Sequence, residues 1–184
     1  MIHRVVALGL ATATIVACGS SNDGTPTTPA SHIVTFTASM SPAGEFGSNL
    51  IGNPQGTGQF TATLDTVTNV FTYNVQFSGL TSNVNNGHIH GPFNLAGTAN
   101  TANVILNFDP AQSGHAPDAV FTGFKAATTG SATGTITLNA ATQITSTING
   151  DSLRKLLLAG MTYANIHTTN NPGGEIRGQI SIKQ

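Results

Sequence analysis

Three short segments share one design, an isoleucine with a polar side chain on each side: His88-Ile89-His90, Asn165-Ile166-His167 and Glu175-Ile176-Arg177. In an extended strand the residues before and after the isoleucine project on one face and the isoleucine on the other. If each isoleucine enters a core, then His88, His90, Asn165, His167, Glu175 and Arg177 all point outward, where they need partners or water. Two imidazoles at i and i+2 of a strand form half of a copper or zinc site, and His167 offers a third ligand. The same histidines have an architectural alternative, donating hydrogen bonds to loop carbonyls and pinning the turn at 170–174. Glu175 and Arg177 read first as a same-face pair worth under ~1 kcal/mol if exposed. Their other reading places them around a metal: Glu175 orients an imidazole through its ring N–H, Arg177 draws in an anion, and Asn165 bonds to either. His115, in Gly114-His115-Ala116-Pro117, reads as a loop residue.

Other catalytic chemistry finds little support. The chain has no Gly-x-Ser-x-Gly elbow, its carboxylates are scattered, and its single cysteine, Cys18, lies in an N-terminal segment treated below. Gly91, Gly173, Gly174 and Gly178 are read as positions of tight turning or close approach rather than phosphate cradles, because no strand-to-helix transition follows them.

The elements that must carry these residues are strands. Val34, Phe36, Ala38 and Met40 alternate with Thr35, Thr37 and Ser39; Phe60, Ala62 and Leu64 alternate with Thr61, Thr63 and Asp65. Phe71, Tyr73, Val75 and Phe77 interleave with Thr72, Asn74, Gln76 and Ser78, predicting a long strand over 70–80. Further strands are expected at 87–91, 102–108, 120–125, 132–138, 162–168 and 175–182, separated by Gly/Pro/Asn/Ser clusters. Only one stretch breaks the period of two. Leu153, Leu156 and Leu157 follow helical spacing, with Asn149 or Asp151 to cap the start and Gly160 to end it. The expected fold class is all-β: an antiparallel, Greek-key-like sandwich with one short helix near 150–159.

Before this domain, Arg4 precedes an uncharged, Ala/Val/Leu-rich run from Val5 to Ala17, the pattern of a signal peptide. The run is too short to span a hydrocarbon core, which needs ~20 apolar residues. Its end, Ile15-Val16-Ala17-Cys18, resembles the bacterial lipobox, whose cysteine is acylated before cleavage. Two or three acyl chains at about 0.8 kcal/mol per buried methylene give a stable anchor. Residues 19–31, rich in Gly, Ser, Thr, Asn and Pro, cannot bury enough apolar surface to fold and read as a tether. The expected layout is a signal peptide at 1–17, lipidated Cys18 and tether at 18–31, and one β domain at 32–184. The resemblance to a lipobox implies export and lipid anchoring to a bacterial envelope, at the outer membrane if the cell has one. Charged residues are only 7% of the chain and the net charge is −1, which leaves no electrostatic footprint for nucleic acid.

Taken together, His88-Ile89-His90-Gly91-Pro92, the segment Leu153 to Gly160, Tyr163-Ala164-Asn165-Ile166-His167-Thr168 and Asn171-Pro172-Gly173-Gly174-Glu175-Ile176-Arg177-Gly178-Gln179 resemble the CHRD domain. That domain is named for chordin and is found in many bacterial secreted proteins. The resemblance, over about residues 32–183, implies an extracellular β-sandwich regarded as a binding or structural module without assigned chemistry. Chordin's role in sequestering growth factors does not transfer with the fold. The expectation is therefore a non-enzymatic surface module with an extracellular protein or matrix partner. The alternative is a copper or other transition-metal protein built on His88, His90 and His167. The His-x-His pair, late histidine and nearby Arg-Gly are similar to the copper half of copper/zinc superoxide dismutase. That family's disulfide and dense His/Asp zinc loop are missing, which puts dismutation in doubt more than metal binding.

Overall fold

The computed structural model describes residues 32–46, 49–93, 101–108, 120–122 and 127–183. Cys18, His115 and the leader and tether segments lie outside them. Residues Ser31–Gln184 form one compact unit. Its strands are β1 (Ile33–Met40), β2 (Thr57–Asp65), β3 (Val70–Ser78), β4 (Val84–His90), β5 (Val104–Asn107), β6 (Val120–Thr122), β7 (Gly130–Thr137), β8 (Tyr163–Thr168), β9 (Ile176–Gln179) and β10 (Ser181–Ile182). The helix α1 spans Gly150–Leu158, and a 3₁₀ turn covers Pro42–Gly44. All pairings are antiparallel, in two sheets ordered β10-β1-β2-β3-β7-β6 and β5-β4-β8-β9. The all-β sandwich with one short helix is the architecture found.

The alternation read from sequence places the core. In the larger sheet Phe36, Phe60, Phe71, Tyr73, Val75 and Ile136 turn inward and are buried, while Thr61, Thr63, Thr72 and Thr133 between them are exposed. Phe108, just after β5, reaches across from the smaller sheet and meets Tyr73 at 5.5 Å and Phe60 at 6.1 Å between ring centroids. Ile89, Ala164, Ile166 and Ile176 supply the smaller sheet's inward face. Helix α1 starts at Asn149, whose side chain accepts the Ser152 N–H at 2.9 Å, and buries Leu153 and Leu157 against the same core.

One expected strand proves to be two. The alternation over 175–182 runs on unbroken, but the backbone changes partners at Ile180: β9 pairs with β8 in the smaller sheet and β10 pairs with β1 in the larger. A second stitch lies alongside, where Ser41, just past β1, bridges to Arg177 on β9. The sheets approach so closely here that a Cβ on Gly178 would stand 2.3 Å from the Ser39 carbonyl oxygen. Side-chain period cannot report such a crossing, because both sheets need the same alternation.

The two outer faces differ. Across the larger sheet the outward side chains are mostly Thr, Ser, Gln and Asn in contact with water. The smaller sheet carries its polar residues under cover: His88, His90, Asn165 and Arg177 are all buried. The cover comes from the ends of loops. Phe93 is held by its N–H to the Met161 carbonyl (2.8 Å), Gly91 by its N–H to that of Asn103 (3.0 Å), and the Pro42–Gly44 turn is folded onto Arg177.

Candidate metal centre

Strand register assembles the site. On the covered face His88 of β4 stands opposite Asn165 of β8, which stands opposite Arg177 of β9. One rung along, His90 faces Tyr163 and Tyr163 faces Gln179; in the other direction Asn86 faces His167. The register of β4 shifts on both sides of this segment, between Val84 and Asn86 against β8 and between Ile89 and His90 against β5. Such bulges re-aim side chains. The result is three imidazoles from two neighbouring strands gathered at one spot, with ring centroids 4.8 Å (His88–His167), 5.2 Å (His88–His90) and 6.0 Å (His90–His167) apart.

Hydrogen bonds determine which nitrogen of each ring carries a lone pair. His90 Nδ1 lies 2.8 Å from the Ala102 carbonyl and His167 Nδ1 lies 2.9 Å from the Pro172 carbonyl. A carbonyl only accepts, so each Nδ1 bears the hydrogen and each Nε2 is left as an acceptor or ligand. His90 Nε2 is buried and has no hydrogen-bond partner. His167 Nε2 lies 3.2 Å from His88 Nδ1, so one proton between them satisfies both in the absence of an ion. One ligand atom from each ring, all within 4.8 Å of one another, defines the cluster. Two nitrogens at ~2.1 Å from one ion stand ~3.4 Å apart in a tetrahedral set and at most ~4.2 Å apart in any set, so side-chain rotation must draw the most separated pair together by roughly 0.6–1.4 Å before one ion is held by all three.

The electrostatics favour neutral rings. Burial lowers the His88 pKa to about 3, with the neighbouring His167 and His90 adding to the effect. Burial lowers His90 to about 4 against the opposing Ala102 hydrogen bond, and His167 and Arg177 push the same way as burial. His167 is also lowered by burial, its bond to Pro172 opposing. At neutral pH all three are deprotonated, as a metal requires.

One flank of the site is an aromatic stack. Tyr163 lies parallel to His90 (4.7 Å, 7°), the Arg177 guanidinium sits 3.5 Å above the Tyr163 ring and 4.5 Å from that of Phe93, and Phe93 meets Tyr163 edge-on at 5.1 Å. The Tyr163 hydroxyl accepts the Ala102 N–H at 3.2 Å, so one residue, through its N–H and its carbonyl, holds both Tyr163 and His90. Arg177 is therefore a buried stacking cation, not half of an exposed ion pair with Glu175.

Glu175 departs from its expected place. Its carboxylate accepts from the Thr81 N–H (2.7 Å), the Thr81 and Thr168 hydroxyls (2.6 Å each) and the Asn171 amide (3.1 Å). These donors fix the loop ends beside the site, and none is an imidazole. Burial opposes ionisation, but the bonds from Thr168, Thr81 and Asn171 outweigh it and hold the carboxyl below its ordinary pKa. The symmetry with His88 and Asn165 fails because β9 begins at Ile176. Glu175 follows Gly174, whose φ of +124° turns the chain off the strand's alternation. Gly173, by contrast, meets nothing that a Cβ would crowd. Asn165 is buried with its side-chain oxygen unpartnered.

Sequence reasoning missed Glu45 altogether. Its carboxyl reaches in beside Gly174 and Asn165, one oxygen buried without a partner, and burial raises its pKa to about 7 despite the opposing charge of Arg177. Ser41-Pro42-Ala43-Gly44-Glu45 reads as a surface turn. The bridge from Ser41 to Arg177 and the close approach of Gly44 to the Arg177 backbone carry Glu45 inward.

Compared with known families, residues 36–180 match the CHRD domain. No curated protein and no solved structure matches the chain.

Proposed function

The chain belongs to the CHRD domain family, and from that premise we propose that this member is a transition-metal-binding protein. Copper is the preferred ion, and the ligands are His90 Nε2, His167 Nε2 and His88 Nδ1, the last once its hydrogen has moved to the ring's Nε2. The observation that carries this reading is the His90 imidazole: one nitrogen is committed to a carbonyl, and the other is buried, unpartnered and beside two more neutral histidines. A buried ring nitrogen without a partner costs free energy unless something binds it. The hydrogen bonds that two of the rings donate through Nδ1 to the Ala102 and Pro172 carbonyls are the outer support that ligating histidines ordinarily have. A set of three imidazoles suits copper and zinc, and copper(II) stands at the top of the divalent affinity order. The test is to purify the full-length chain without a histidine tag, equilibrate it with copper and zinc, remove free metal and measure the bound ion by mass spectrometry. One copper per chain is expected, lost in His88→Ala and His167→Ala; trace metal in the parent chain would overturn the reading.

We also propose that the domain is exported and held to an envelope by lipid on Cys18, on the strength of Arg4, the apolar run to Ala17 and the lipobox-like Ile15-Val16-Ala17-Cys18. Cys18→Ala should move the protein from the membrane pellet to the soluble fraction, and unchanged partitioning counts against the anchor. Metal holding needs no catalysis, so it sits within the non-enzymatic module that the family resemblance implies.

A further inference from the structure

We propose that an ion held by His88, His90 and His167 keeps one coordination position open toward the depression between Asn85, Asn86 and Pro172, and takes a small anion there. The inference rests on the metal-binding reading above. Three protein nitrogens leave a four-coordinate ion one ligand short. On the His90 side the position is closed: His90 Nε2 is buried, Tyr163 lies flat against the ring, and Arg177 and Phe93 pack on Tyr163. On the opposite side a depression of about 300 Å³ is lined by Asn85, Asn86, His88, His167 and Pro172. Two of the three ligands line it, and His167 is the least buried of the three. A ligand from solution therefore reaches the ion over His167.

The charge of the surroundings sets the chemical class. None of the five lining residues is charged. Three neutral imidazoles leave the ion's full positive charge uncompensated, and a partly desolvated charge seeks a counter-charge. The nearby carboxylates do not supply one from the lining: Glu175 is tied to Thr81, Thr168 and Asn171, and Glu45 lies on the Arg177 side. A small anion entering the depression meets no carboxylate on its walls, which Asn85 and Asn86 help to line; the Asn85 amide donates one hydrogen to the Thr168 carbonyl and Asn86 Oδ1 accepts the Gly87 N–H.

Azide is the probe. Titrated into the copper(II)-loaded full-length chain, it should give a saturable charge-transfer band and an altered electron paramagnetic resonance spectrum, with copper still at one per chain after filtration. Asn85 is exposed on the rim, so Asn85→Trp should obstruct the mouth and weaken azide roughly tenfold or more while copper stoichiometry stays the same. Stoichiometric copper with no azide band would overturn the open position and leave the metal site standing. Azide that strips the copper, or binds the Asn85→Trp variant as tightly as the parent, would likewise overturn the proposal. A chain that takes up no copper would overturn both readings.

Discussion

Protonation is where single residues have the clearest consequence. In the metal-free chain burial keeps His88 near 3, His90 near 4 and His167 below its ordinary value, whereas an unfolded histidine titrates near ~6.5. As pH falls below ~6.5 the unfolded chain takes up protons that the folded chain refuses, so the histidines' contribution to stability drops, and goes on dropping to about pH 3, where folded His88 itself protonates. Glu45 works in the opposite sense. Its folded value of about 7 exceeds the unfolded ~4.3, so its contribution is complete at low pH and is lost as pH rises toward 7. Three histidines oppose one glutamate over the same window. The melting temperature of the metal-free chain should therefore climb from pH 4 to 6.5, and climb more steeply in Glu45→Gln. A flat profile would contradict the burial of the rings. Most of these residues were legible beforehand: strand alternation puts His88 and His90 on one face of β4 and His167 on one face of β8, and the pairing of the two strands then brings them together. Glu45 and the true partners of Glu175 were not, since both depend on where loops fold back, and loop sequence carries no period.

The elements were largely visible in the sequence, because buried aromatic and aliphatic residues alternate with small polar ones through β1, β2 and β3; of the two caps open for α1, Asn149 and Asp151, the structure uses Asn149. The seam between the sheets was not. Ile176, Gly178, Ile180 and Ile182 keep one alternation while the backbone leaves β8 for β1. At this seam Gly178 admits the Ser39 carbonyl, which a methyl group would strike at 2.3 Å. Gly178→Ala should lower stability by on the order of 1–3 kcal/mol as β1 and β9 are forced apart, read as a shift of the denaturant midpoint at constant slope. The same variant displaces Arg177, the preceding residue, so its copper affinity should fall as well; a variant of parental stability would show that the seam yields easily.

At the scale of the whole molecule the sandwich has one wet face and one roofed face, and the polar groups that the sequence sent outward from the smaller sheet lie beneath the roof. Composition and alternation assign residues to faces, but they cannot say which face the connections will cover. A metal that binds only the folded chain adds stability by mass action, about 2.7 kcal/mol at a free concentration one hundred times its dissociation constant. That increment has a kinetic side that follows from the distance along the chain between the ligands. His88 and His167 are 79 residues apart, so the ion cannot find its three nitrogens until β4 and β8 have paired across most of the domain. Closing so long a loop comes late and gains nothing from the metal beforehand. Copper should then leave the refolding rate unchanged and slow unfolding, as stopped-flow measurements with and without the ion would show. The protein would meet its metal as a finished receptacle, and the histidines' first partners, during folding, would be each other.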